Sequence, residues 1–149
     1  MVCTGNICRS PMAEGLLYHC LSEELKQCVE VTSAGTHALH GHQAHDDAIS
    51  AMAEMGIDIG NHRARQITRE MARGSDLILV MEAEHCRIVK KLLGWSRSKP
   101  RMIGEFHPER PLNDIADPYG APLEAYRDCI RTLRPCTDGV LRWLNRNLI

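Results

Sequence analysis

Several things are scarce in this sequence, and each scarcity excludes a class of protein. Aromatic residues make up 4% of the 149 positions, with a single Phe, so the core must be built mainly from Leu, Ile, Val, Met and Ala. No apolar run approaches the roughly 20 residues of a membrane-spanning helix, and no membrane partner is expected. Net charge is only -1, which leaves no overall basic field to attract nucleic acid. The 7 cysteines are odd in number and irregularly spaced, unlike the paired framework of a small secreted domain. The opening MVCTGN lacks the basic and apolar segments of a signal peptide, so a cytoplasmic chain with reduced thiols is expected. Repeats, low-complexity tracts and linkers are also absent. What is present, 44% hydrophobic and 25% charged residues, fits one globular domain over residues 1–149.

The pattern of elements predicts alternating helices and strands. A first helix is expected from Ser10 or Pro11 to about Lys26, with Met12, Leu16, Leu17, Cys20 and Leu21 at helical spacing. Val29–Ser33 is β-branched and reads as a strand that Ala34-Gly35 ends. A His-rich loop leads to a helix near Ala44–Met55, closed by Gly56. Thr68 can cap a short helix. Asp76–Met81, DLILVM, is the nearly continuous apolar run of a strand buried on both faces. Glu82–Leu93 carries acids first and Lys90-Lys91 late, as a helix dipole favours. Arg101–Phe106 is a fourth strand candidate. The polar, Pro-rich stretch 107–122 is a loop, and Leu123–Leu148 is one long helix or two, with Pro135 as the place for a kink. Such alternation implies an α/β fold with a parallel sheet, whose ligands bind at the carboxyl ends of the strands.

The run CTGNICRSP at residues 3–11 carries the chemistry. Cys3 would end a strand, and the chain would then turn back into the first helix. Gly5 and Asn6 both accept positive φ, so the turn can be tight and concave. Successive N–H groups in such a turn form an anion nest, and a helix N-terminus adds its positive end. Thr4, Gly5, Asn6, Ile7, Cys8, Arg9 and Ser10 would thus form a cup for a tetrahedral oxyanion. Arg9 offers a planar fork that matches two phosphate oxygens. Cys3 lies at the floor, where the same donors and the Ser10 hydroxyl favour its thiolate. A thiolate below a phosphate ester is placed for in-line attack. Asp117, stiffened by Pro118, is the preferred general acid, with Asp114 second, and Tyr119 can pack against an aromatic substrate.

These residues resemble the low-molecular-weight protein tyrosine phosphatases of bacterial type. CTGNICRSP resembles their signature loop and ADPYG at 116–120 their general-acid loop, with TSAG at 32–35 and SDLILVM at 75–81 in the family's order. The resemblance covers essentially the whole chain. It implies a single-domain, three-layer α/β fold with a four-stranded parallel sheet in the order 2-1-3-4 and helices on both faces. It implies Cys3 as nucleophile, Arg9 as phosphate clamp and Asp117 as proton donor, with Asn6 shaping the loop and Ser10 tuning Cys3. It places Leu39 or His40 as one wall of the substrate cleft and Tyr119 opposite. No metal or organic cofactor is implied. The implied partner is a phosphotyrosine protein, with a bacterial tyrosine kinase as a candidate. The family places a whole central strand before the nucleophile, whereas only Met1 and Val2 precede Cys3 here. The first strand is therefore truncated, and the preferred reading makes Met1 an internal strand residue with further residues upstream.

Three rival functions fit parts of the same motif. Arsenate reductases of this fold need two further relay cysteines, one at the end of the third strand and one in the loop after it, but here the strand ends in Met81 and only Cys86 lies close behind it. Arginine phosphatases typically have Thr at the position of Ile7, and a bulky Ile favours the flat apolar face of phosphotyrosine. A chain with a misformed cup would bind anions without turnover. Among the other residues, Cys8 reads either as a partner for a reversible disulfide with Cys3 or as a small buried hydrophobe. His37, His40, His42 and His45 read as a solvated or substrate-facing loop rather than a metal site. Cys20, Cys28, Cys129 and Cys136, with Trp95 and Trp143, are expected to pack the body.

Overall fold

A computed structural model describes residues 1–95 and 99–148. Four short parallel strands form one sheet in the order β2-β1-β3-β4: β1 Val2–Cys3, β2 Ala34–Gly35, β3 Leu79–Val80 and β4 Arg101–Met102. Val2 pairs with Ala34 on one side and Val80 on the other, and Cys3 with Gly35. The ladder already includes Met1, whose nitrogen donates to Thr32 O at 2.8 Å and whose carbonyl accepts from Ala34 N at 3.0 Å.

Period-two alternation sends the strand side chains to two cores. Cys3 and Leu79 face the larger core with α1 (Arg9–Cys20), α3 (Asp46–Ala53) and α6 (Leu123–Leu148). Val2 and Val80 face a smaller core with Ala72 of α4 (Arg69–Gly74) and Val89 and Leu93 of α5 (Ala83–Leu93). The expected three-layer α/β architecture and strand order are therefore present. Among the described residues, no helix is long and apolar enough to cross a membrane.

Several boundaries differ from expectation for local reasons. The first helix stops at Cys20, and a separate α2 (Glu23–Cys28) starts where Ser22 caps it by accepting from Leu25 N. The second strand lies at Ala34–Gly35 rather than Val29–Ser33, because that is where β1 offers backbone partners. The fourth strand is only Arg101–Met102, and Ile103–Phe106 winds into a 3₁₀ turn, at whose start the Glu105 side chain accepts from Met102 N. Thr68 caps α4 as expected. Helix α6 is continuous through Pro135. Trp95 is fully exposed rather than packed, and Cys20 and Cys28 are also exposed, whereas Trp143 packs edge-on against Phe106.

Two glycines set how closely α6 and the loop after β4 approach the 3₁₀ turn. A Cβ on Gly104 would lie 2.3 Å from Leu112 O, and one on Gly139 would lie 1.7 Å from Phe106 O. Leu112 N in turn donates to Gly104 O, which fixes the start of the 107–122 loop. An Ala at 139 would gain about 1 kcal/mol of helix propensity. The clash is with backbone, so overpacking of about 1–3 kcal/mol should outweigh it. Gly139→Ala is expected to lower the urea midpoint with an unchanged m-value. A higher midpoint would show that α6 can move away freely.

Candidate active site

The chain between β1 and α1 turns its carbonyls outward and its N–H groups inward. Every carbonyl from Cys3 to Cys8 is taken by a neighbour behind the loop. Thr36 N, His37 N and Leu39 N donate to Cys3 O, Thr4 O and Gly5 O at 2.9, 3.0 and 3.0 Å. His62 Nε2 donates to Asn6 O at 2.7 Å, His45 N to Ile7 O at 2.8 Å and Met12 N to Cys8 O at 3.1 Å. Among the described residues, the N–H groups of Gly5, Asn6, Ile7 and Cys8 have no protein acceptor. Helix α1 begins at Arg9 with no side-chain cap and no acid in its first turn, so its N-terminal dipole is uncancelled. This is a cup of donors suited to an oxyanion.

Asn6 allows the turn. It is fully buried at φ 56, a left-handed conformation that Asn tolerates better than most non-glycine residues. Its Nδ2 donates to Ser10 Oγ at 2.8 Å and to Ser33 Oγ at 2.9 Å, and its Oδ1 accepts from Arg65 N at 2.8 Å. The Asn6 amide occupies one acceptor position on Ser10 Oγ and leaves the hydroxyl proton available. Cys3 Sγ lies 2.9 Å from that oxygen, the contact that a thiolate accepts.

Arg9 is buried beside the cup. Its Nη1 donates to Glu82 and, at 2.8 Å, to Ile115 O, while Nη2 donates to Asp117 Oδ2 at 2.9 Å. Arg9 Nε is buried with no acceptor among the described residues. The Nε–Nη2 edge is the fork that two oxyanion oxygens can share, and Nη2 carries two N–H groups, one for Asp117 and one for the oxyanion. Ile115 N donates to Met81 O at 2.8 Å, and that contact lays the acid-bearing loop across the end of β3.

The two candidate acids separate cleanly. Asp117 lines the cleft and accepts from Tyr119 N at 3.2 Å. Asp114 accepts from Ala83 N at 2.9 Å, so it caps α5 instead. The cleft has a volume of about 250 Å³, with Cys3, Thr4, Gly5, Ile7, Cys8 and Arg9 in its base and Leu39, His37 and Tyr119 on its walls. Of the two residues expected for one wall, Leu39 lines the cleft and His40 does not. The bond from Leu39 N to Gly5 O draws Leu39 inward, and His40 points to solvent while His37 takes its place. Tyr119 stands opposite and packs edge-on against His45, with ring centroids 5.8 Å apart.

Cys8 is held beneath the cleft, with its Sγ 3.7 Å from Tyr126 OH. Burial pushes its pKa to about 12, and that of Cys129 likewise to about 12 and Cys136 to about 11. All seven cysteines are free thiols, and no disulfide joins Cys3 to Cys8. Among the described residues no three His, Cys, Asp or Glu side chains converge as a metal site, and the loop histidines go elsewhere. His45 stacks on Tyr126 at 5.2 Å. Several residues of the site escaped the sequence reading: Ser33, His62, Arg65, Glu82, His85 and Tyr126. Only Glu82 had a usable signal, as the first polar residue after the buried strand, at the sheet edge where ligands bind.

Known proteins share this design. The sequence model of the family described as low molecular weight phosphotyrosine protein phosphatase matches residues 1–148. The low molecular weight protein-tyrosine-phosphatase Etp of Escherichia coli K12 is 40% identical over 98% of this chain and 93% of its own length. The solved low molecular weight protein tyrosine phosphatase from T. tengcongensis superposes with a TM-score of 0.85 at 38% identity, covering 96% of each chain. The YwlE arginine phosphatase from Geobacillus stearothermophilus superposes at 0.83 with 35% identity, over 97% of this chain and 90% of its own. With a cup, a sulfur and a buried arginine arranged as the motif requires, the chain belongs to the low molecular weight phosphotyrosine protein phosphatase family.

Proposed function

We propose that the protein is a protein-tyrosine-phosphatase that works through a phosphocysteine intermediate on Cys3, as one domain spanning residues 1–149. The observation that carries this reading is the cup itself: a sulfur 2.9 Å from Ser10 Oγ, below inward N–H groups and beside a buried Arg9 that also holds Asp117. A phosphate dianion in the cup pairs with the N–H groups and with the Nε–Nη2 edge of Arg9. Asp117, which lines the same cleft, takes up a proton from solvent and faces the ester oxygen. Cys3 Sγ attacks phosphorus as the P–O bond to the phenol breaks, and the departing oxygen takes the Asp117 proton. Water next attacks the phosphocysteine and gives a proton to Asp117, which frees inorganic phosphate and the Cys3 thiolate. The charge that spreads over the equatorial oxygens meets donors already in place. Each step uses only protein groups, water and the ester.

Ile7, Leu39 and Tyr119 give the cleft apolar surface for a flat ring, which favours phosphotyrosine. The bacterial relatives make a cytoplasmic tyrosine-phosphorylated protein, such as a bacterial tyrosine kinase, the natural candidate substrate. The likeness to an arginine phosphatase supports a second reading, in which the same cup serves phosphoarginine.

Labelling, substitution and substrate preference test these assignments. Acid-quenched enzyme caught during turnover of a labelled phosphoester should carry the label on Cys3. Cys3→Ser should lose turnover and keep phosphate binding within a few-fold. Label on another residue would remove Cys3 from its role. Asp117→Asn should slow phosphotyrosine turnover on the order of a hundredfold and p-nitrophenyl phosphate less, because a good leaving group needs less protonation. If Asp114→Asn shows that dependence and Asp117→Asn behaves like wild type, the proton donor is misplaced. Ile7→Thr should raise the ratio of phosphoarginine to phosphotyrosine turnover. A wild-type enzyme that already prefers phosphoarginine would put the second reading first.

A further inference from the structure

Behind the rim of the cup lies a polar pair that no step above uses. Thr4, the residue after the nucleophile, lines the cleft, and its Oγ1 is 2.8 Å from His85 Nε2. His85 sits in the first turn of α5 and is 1% exposed. Its other ring nitrogen, Nδ1, is buried with no partner among the described residues.

That orphan nitrogen constrains the proton. A neutral imidazole carries one N–H, and an orphaned buried N–H is rarer and costlier than an under-used acceptor. A proton on Nδ1 would leave such a donor unpaired. A cationic ring would do the same and would add charge near Arg9. Burial holds the His85 pKa below the ordinary histidine range, and Arg9 adds to this, against the opposing pull of Glu82, Asp117 and Asp114. The consistent form is neutral with the proton on Nε2. Nε2–H then donates to Thr4 Oγ1, so Thr4 does not spend its own proton on His85. The Thr4 backbone is fixed independently, because His37 N donates to Thr4 O at 3.0 Å.

We infer that His85 is a positioning residue whose Nε2–H turns the Thr4 hydroxyl into a donor toward a non-bridging oxygen of the bound phosphoryl group. This rests on the cup holding a phosphoryl group, as proposed above. It adds a side-chain donor to the N–H nest and Arg9, fixed before the ester arrives, at a position where oxygen charge grows during transfer. A hydroxyl at the cleft rim is partly solvated, so its contribution is smaller than that of a buried oxyanion donor.

Orthovanadate affinity and kcat/KM for p-nitrophenyl phosphate, measured together on single and double variants, test the pair. Thr4→Val and His85→Leu should each weaken vanadate binding and lower kcat/KM about tenfold. The double variant should lose little more than either single one, because the two residues act as one unit. Thr4→Ser and His85→Gln should recover most of the loss, since each keeps the required group at the required reach. Retention of both quantities within twofold in Thr4→Val would overturn the inference, even if His85→Leu does not fold. Additive losses in the double variant would overturn the link between the two residues. Vanadate binding does not depend on which ester is hydrolysed. A chain that binds vanadate with this pattern yet turns over no phosphotyrosine would sink the substrate assignment and leave the Thr4–His85 pair standing.

Discussion

A single buried carboxamide holds the loop over Cys3 in shape. Asn6 spends both Nδ2 hydrogens and its Oδ1 on fixed partners, and its backbone carbonyl accepts from His62. Those partners come from three places: Ser10 at the start of α1, Ser33 ahead of β2, and the segment around Arg65. One side chain therefore sets the distance between the strand that ends in Cys3 and the helix that begins at Arg9. Glycine would supply the positive φ more cheaply but could hold none of these partners. Because Ser10 Oγ is oriented by Asn6, the hydroxyl beside the sulfur is in place before any ligand arrives.

The charge at the site is organised around Arg9 in the same way. A buried guanidinium needs paired neighbours, since an unpaired charge away from water is costly. Glu82, Ile115 O and Asp117 supply them from the end of β3 and from the 107–122 loop. The cation thus acts as a hub that ties a remote loop to the cup. One of its three partners is the carboxyl group that the proposed chemistry uses as an acid. Positioning of the acid and binding of the oxyanion consequently converge on one guanidinium.

The motif residues were more legible in the sequence than the partners they meet in the fold. The thiol, the arginine and the serine are close along the chain, so a local reading could assemble them. The preference for Asp117 over Asp114 came from its neighbours Pro118 and Tyr119, and the structure puts Asp117 in the cleft and Asp114 at the start of α5. Residues that meet across the fold were not: Thr4 meets His85, Cys8 meets Tyr126 and Asn6 meets Ser33 and Arg65. Nothing in a helix that reads as charged and amphipathic marks His85 as a buried polar residue. Strand ends were misread for a related reason. Val29–Ser33 has the β-branched composition of a strand, but pairing depends on where the partner strand lies. His40 and His37 differ only in which way a turn sends them.

Gly139 leaves no compliant layer between α6 and the Phe106 backbone that it rests on. Tyr126 lies on the same helix, about 20 Å away at 1.5 Å per residue, and touches Cys8 and His45 under the cleft. Pro135 lies between the two points and leaves the Arg131 carbonyl without its helical donor, so α6 has a compliant point between its seat and the cleft. A push at the seat is spent in bending there before it reaches Tyr126. Changes near residue 139 are therefore expected to show up as lost stability, with the cleft itself insulated from them.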